Sequence, residues 1–149
     1  MTDAETAETA ETAETADAET AEAAGTAEAA GAADFADGPE ALTVLTTTDS
    51  EAGARELARG AVEARLAACA QISGPVTSVY RWKDTVETAP EWQVLFKTTP
   101  PRYAALEDHL RAVHPYETPE IIATPVVRGS ADYLRWVAEE TAPGGARTE

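Results

Sequence analysis

Residues 68–99, ACAQISGPVTSVYRWKDTVETAPEWQVLFKTT, read as two long strands joined by a tight turn. In the second arm, residues 86–99, Trp92, Val94 and Phe96 alternate with Gln93, Leu95 and Lys97. That is the period of two of a strand with one apolar face. In the first arm, residues 68–83, Ser78, Tyr80 and Trp82 share one face and Val79 and Arg81 the other. Gly74-Pro75 interrupts this arm, and proline cannot donate to a ladder, so the pair predicts an edge strand or a bulge. Lys83-Asp84-Thr85 makes the turn, where aspartate tolerates left-handed backbone. Arms of roughly 14 residues at ~3.3 Å per residue span about 45 Å, whereas a body of about 110 residues has a radius of gyration near 13 Å. The hairpin is therefore expected to overhang its own domain. Unpaired edges and the aromatic surface of Tyr80, Trp82 and Trp92 are poorly tolerated on a monomer, which predicts self-association.

The flanking sequence supplies the rest of a sheet and its helices. Residues 41–48, ALTVLTTT, are apolar and β-branched and predict a strand. Asp49 or Ser50 offers a cap for a helix over 50–67, where Ala54, Leu57, Ala58, Ala61, Val62 and Leu66 recur at helical spacing. After the hairpin, Thr99 and Pro100 open a second helix lined by Tyr103, Leu106, Leu110 and Val113, and Pro115 stops it. The loop HPYETPE at 114–120 leads to a β run at 121–127 whose Pro125 belongs at an edge or bulge. Ser130 caps a last helix to about Glu140, with Tyr133, Trp136 and Val137 as its apolar contacts. The order βαββαβ plus a helix predicts an α+β, ferredoxin-like sandwich with an extended central hairpin and an extra C-terminal helix.

Charge divides the chain. Residues 1–40 hold 12 of the 27 acidic side chains and none of the 11 Lys and Arg, which leaves 15 acidic against 11 basic groups in the remainder. The first segment repeats Ala-Glu-Thr triplets, which put Glu all round a helix and leave no apolar stripe. With almost nothing larger than Ala to bury, residues 1–39 are expected to be a disordered acidic tail. The domain is expected over 40–142 and a flexible C-terminus over 143–149. A nearly balanced body behind an acidic tail argues against nucleic-acid partners and against anionic lipid. No apolar run approaches the ~20 residues of a membrane helix, no signal peptide is readable, and Cys69 is the only cysteine, so the cytoplasm is the expected compartment.

Several strings, LAACAQI (66–72), SVYRWKDTVE (78–87), VLFKTT (94–99), HPYETPEII (114–122) and DYLRW (132–136), together resemble the CutA family. The resemblance covers about residues 41–141. It implies a ferredoxin-like subunit assembled as a homotrimer with hairpins wrapping neighbours, and a link to tolerance of divalent metals, copper in particular. The implied architecture is also similar to that of nitrogen-regulatory signal proteins, which bind small ligands between subunits. No reaction is established for the family. Thr46 stands where some members carry cysteine, and Val113 where some carry a second histidine.

The residues themselves nominate few chemical groups. His114, beside Tyr116, Glu117 and Glu120, suits copper or zinc, yet one imidazole is not a site, and a backbone-bonded histidine packed on Tyr116 is the alternative. Cys69 is either a buried small hydrophobe or a thiolate ligand. His109 lies five residues before His114 and does not share its helical face. Copper or zinc binding is thus expected to be weak, with His114 as its main ligand, and no other cofactor is expected. The resemblance places Lys97 and Glu120 in a cleft between subunits near Trp82 and Tyr103, with Tyr116 in the adjoining loop. Such a set suits a small anionic or zwitterionic ligand or, equally, an inter-subunit salt bridge.

No Ser/His/Asp set, phosphate-cradling glycine loop, CxxC pair or HExxH is present, nor an RNP1 segment, so an enzyme is not expected. Three readings stand: a metal-response trimer, a ligand-sensing signal module, and an enzyme of unknown reaction in the same cleft. Removing residues 1–37 is expected to leave the melting temperature and the assembly unchanged. A large loss of stability on deletion would show that the tail docks on the body.

Overall fold

A strand-forming run cannot by itself say which strand lies beside it; the register does. In the computed structural model, which describes residues 38–144, β1 (Leu42–Thr48) lies inside a four-stranded antiparallel sheet. β3 (Thr85–Thr98) flanks it on one side and β4 (Ile122–Pro125) on the other, and β2 (Cys69–Trp82) is the edge beyond β3, giving the order β2-β3-β1-β4. Three helices complete the body: α1 (Glu51–Glu63), α2 (Pro100–Val113) and α3 (Ala131–Glu140). This is the ferredoxin-like α+β arrangement that the order of elements predicts. The compact unit begins at Pro39; residues 1–37 of the expected acidic tail and the last residues, 145–149, lie outside the described residues.

One face of the sheet carries the core. Val44, Thr46 and Thr48 of β1 and Val94, Phe96 and Thr98 of β3 are fully buried. Against them pack Ala54, Leu57, Ala58 and Ala61 of α1 and Leu106 and Leu110 of α2. The small alanines of α1 let it sit close to the sheet, while Phe96, Leu106 and Leu110 fill the remaining volume. A second cluster of Ala41, Ala68 and Val137 seats α3 near the strand ends. Arg65, at φ 59° just past α1, reaches Glu140 Oε2 at 3.6 Å and joins the ends of α1 and α3.

The caps follow the sequence with one exception. Ser50 accepts from the Gly53 amide at 3.0 Å, and Ser130 from the Tyr133 amide at 3.4 Å. Thr99 occupies the cap position of α2, but its hydroxyl makes no cap bond and lies 3.5 Å from that of Thr141. Pro100 and Pro101 remove the first two amide donors, and the third, Arg102 N, is already bonded to the Thr99 carbonyl at 3.0 Å. Val113 also departs from the expected apolar face of α2 and is 52% exposed. The next residue, His114, turns in against β1 instead.

The long hairpin stands clear of this core. β3 pairs with β1 only over Trp92–Thr98, so its stretch 85–91 has β2 as its single strand partner among the described residues. Lys83 and Asp84 turn the hairpin in successive left-handed conformations, φ 49° and 65°. The register breaks between Ser73 and Val76, at the expected Gly-Pro interruption of an edge strand. Gly74 sits at φ +147°, and a Cβ there would lie 3.0 Å from the Glu91 carbonyl oxygen and 3.1 Å from Trp92 Cα. Both obstacles are backbone, which cannot move aside cheaply. Gly74→Ala is therefore expected to destabilise the protein by more than about 1 kcal/mol in denaturant unfolding; wild-type stability in that variant would show that the irregularity is soft.

Candidate functional site

The face of the sheet away from α1 and α2 forms a hollow of about 620 Å³. Leu45, Thr47 and Gln93 line it from the sheet, Ser78 to Trp82 from the hairpin, and Tyr116, Glu117, Thr118 and Glu120 from the loop after α2. The lining combines the rings of Tyr80, Trp82 and Tyr116 with the carboxylates of Glu91, Glu117 and Glu120.

A short chain of hydrogen bonds fixes the loop side. His114 closes α2, its amide bonded to the Leu110 carbonyl at 2.8 Å, and Pro115 prevents a further turn. Its ring is turned inward. Nε2 lies 2.9 Å from the Thr47 carbonyl oxygen, and Nδ1 accepts from the Tyr116 amide at 3.0 Å. The two rings also pack, with centroids 4.9 Å apart. Tyr116 in turn donates its hydroxyl to Glu91 Oε2 at 2.8 Å, and Glu91 is only 8% exposed. Burial, then this bond and the charge of Glu91, push the Tyr116 hydroxyl well above the ordinary tyrosine range. It therefore stays a donor to a carboxylate that has little access to water.

The residues singled out from the sequence divide between places. Trp82, Tyr116 and Glu120 line the hollow together. Lys97 is on the same sheet face but nearer its other end, opposite Thr43 and Cys69 across the strands, with Nζ bonded to Gln71 Oε1. Tyr103 is on α2, packed against the core, and donates to Glu107 Oε1 at 3.3 Å. Burial, followed by the charge of Glu107, raises its hydroxyl too. Cys69 is half-buried with Sγ 3.5 Å from the Tyr133 hydroxyl; that contact, and then burial, raise Tyr133. His114 meets β1 at Thr47, whereas Cys69 is level with Thr43, four residues or about 13 Å along the strand. Thr46 is fully buried on the helix-covered face, away from the hollow. Among the described residues no group of three or more His, Cys, Asp and Glu is placed to hold a metal ion.

Glu91 is the functional-site residue that sequence reading missed. It continues the polar alternation of Gln93 and Lys97 and reads as a solvated strand position. Its burial comes from Tyr116, 25 residues away in sequence, and nothing local signals it.

Fold and site together define a small ferredoxin-like α+β protein whose over-long hairpin and post-helix loop enclose a hollow on an otherwise open sheet face. Residues 42–140 match the family described as CutA1 divalent ion tolerance protein, and the chain belongs to that family. The divalent-cation tolerance protein CutA of Thermus thermophilus is 44% identical over 98 residues, 66% of this chain and 95% of the relative. Among solved structures, the Thermus thermophilus protein (Cut A1) superposes with a TM-score of 0.67 at 42% identity, covering 68% of this chain and 99% of that one. A CutA from Archaeoglobus fulgidus, described as periplasmic, gives a TM-score of 0.66 at 32% identity, covering 68% of this chain and 99% of that one. No helix among the described residues is long and apolar enough to cross a membrane.

Tyr116→Phe is expected to cost about 1–3 kcal/mol, because buried Glu91 loses its donor. The raised hydroxyl also gives a sign. Stability from that shift is present below the unfolded tyrosine value of about 10 and is lost as pH rises beyond it. Thermal melts from neutral to strongly alkaline pH should therefore show a shallower alkaline loss in Tyr116→Phe than in the wild type. Parallel alkaline limbs would remove Tyr116 from the account.

Proposed function

We propose that the protein acts in tolerance of divalent cations as a homotrimer whose working surfaces are clefts between subunits, without catalysing a reaction. The observation that carries this reading is the open sheet face under an overhanging hairpin. Tyr80 and Trp82 are exposed on that face of the hairpin in the single chain, and Val79 and Val86, 66% and 59% exposed, lie on the hairpin's other face. Surface of that kind, on strands with one partner each, is normally covered by another copy. The names of the relatives, all divalent-cation or divalent-ion tolerance proteins, supply the role.

The placement of charge supports composite clefts. Glu120 lies with Trp82 and Tyr116 around the hollow, while Lys97 lies toward the other end of the same face. Within one chain the two do not meet. A head-to-tail ring would set the acidic end of one subunit against the Lys97 end of the next, where they would form either an inter-subunit bridge or a site for a small anionic or zwitterionic ligand. The lone thiol of Cys69 suits a reducing compartment, so cytoplasmic residence is part of this reading.

Light scattering of the full chain at micromolar concentration is expected to report about three times the 15.7 kDa subunit mass. Lys97→Glu and Glu120→Lys should each weaken the trimer, and the two together should restore it. A stable soluble monomer would overturn the assembly, and no rescue by the double variant would overturn the pairing.

A further inference from the structure

We propose that His114 is a positioning residue, locked in one tautomer to hold the wall of the hollow, and that the family's link to divalent cations does not run through His114 or Cys69 in this chain.

The donor set does not fit a metal. An imidazole ligates through a ring nitrogen lone pair. Nε2 faces a carbonyl oxygen, Thr47 O at 2.9 Å, so it must carry the proton. Nδ1 faces an amide N–H, that of Tyr116 at 3.0 Å, so its lone pair is already in use. No ring nitrogen is left for a metal while both bonds stand. The residue is only 8% exposed, so an ion could reach it only by opening the loop. Two further donors are occupied or remote. Glu91 is buried and holds the Tyr116 hydroxyl, and Cys69 lies two strands away beside Tyr133.

The same bonds show what the histidine does instead. They run from Thr47 on β1 through the His114 ring to the Tyr116 amide, and then through the Tyr116 side chain to Glu91 on β3. Two neighbouring strands are thus pinned to the exit of α2, β1 through the His114 ring and β3 through that of Tyr116. Tyr116 cannot keep both its amide acceptor and its reach to Glu91 if that ring turns away. Glu117, Thr118 and Glu120, which follow in the chain, line the hollow from the backbone course that this latch sets. The latch lies within one subunit and does not depend on the trimer.

Long-range nitrogen–proton spectra of the full chain separate the two roles, with His109→Gln used to assign the two histidines. His114 is expected as the Nε2–H tautomer, and stoichiometric Zn(II) is expected to shift neither of its ring nitrogens. His114→Gln should retain more thermal stability than His114→Ala, because its side-chain amide can still donate to the Thr47 carbonyl. The Tyr116 amide should exchange with solvent at least tenfold faster in both variants. An Nδ1–H tautomer would overturn the latch. A His114 shift with stoichiometric zinc, or zinc binding lost equally in the two variants, would overturn the exclusion of metal. Should the alanine variant fail to fold, the wild-type spectra decide both points.

Discussion

The structure depends on an inequality of strand lengths. β1 has seven residues and β2 and β3 have fourteen each, so the sheet can be four strands wide only where β1 runs. Below that limit α1 and α2 cover one face and bury Val44, Val94 and Phe96. Beyond it the hairpin has only itself. A two-stranded ribbon has no hydrophobic layer of its own and is marginal in water, yet here it carries Tyr80, Trp82 and Val86. The conflict between a short central strand and a long hairpin leaves the hairpin's aromatic surface uncovered and shapes the hollow.

The second feature of consequence is the way the chain leaves α2. A helix that ends in His-Pro can no longer satisfy its last carbonyls by continuing, and the following backbone is extended. In this chain the histidine ring makes up for lost regular structure by bonding to the backbone on both sides, to Thr47 and to Tyr116. The tyrosine then shields Glu91 from water and neutralises much of the cost of burying it. A motif that looks like metal chemistry from composition alone is, in three dimensions, a loop anchor.

Membership of a divalent-ion tolerance family does not require each subunit to hold an ion tightly. The described residues offer scattered donors: Cys69 at one end of the sheet, His114 near the other, and Thr46 facing the core. A metal centre needs three or four ligands converging on one point. Clefts that bring different ends of the open face together are the arrangement in which the acidic hollow and Lys97 could act jointly.

Much of the architecture was legible because it rests on local periodicity. Alternation fixed the two arms of the hairpin and the core face of β3, helical spacing fixed Ala54, Leu57, Ala58 and Ala61, and Gly74-Pro75 announced the irregular edge. These signals are written within a few residues of where they act. The same reading went astray at Val113, where the neighbouring His114 takes the inward place, whereas Thr99 holds its cap position without a side-chain bond. The site was harder to read. Trp82, Tyr116 and Glu120 could be named as candidates, but only the tertiary structure placed them around one hollow and set Lys97 and Tyr103 elsewhere. It alone gave Glu91 a partner and set His114 Nε2 against the Thr47 carbonyl, because those bonds join segments 25 and 67 residues apart, a separation that no local pattern records.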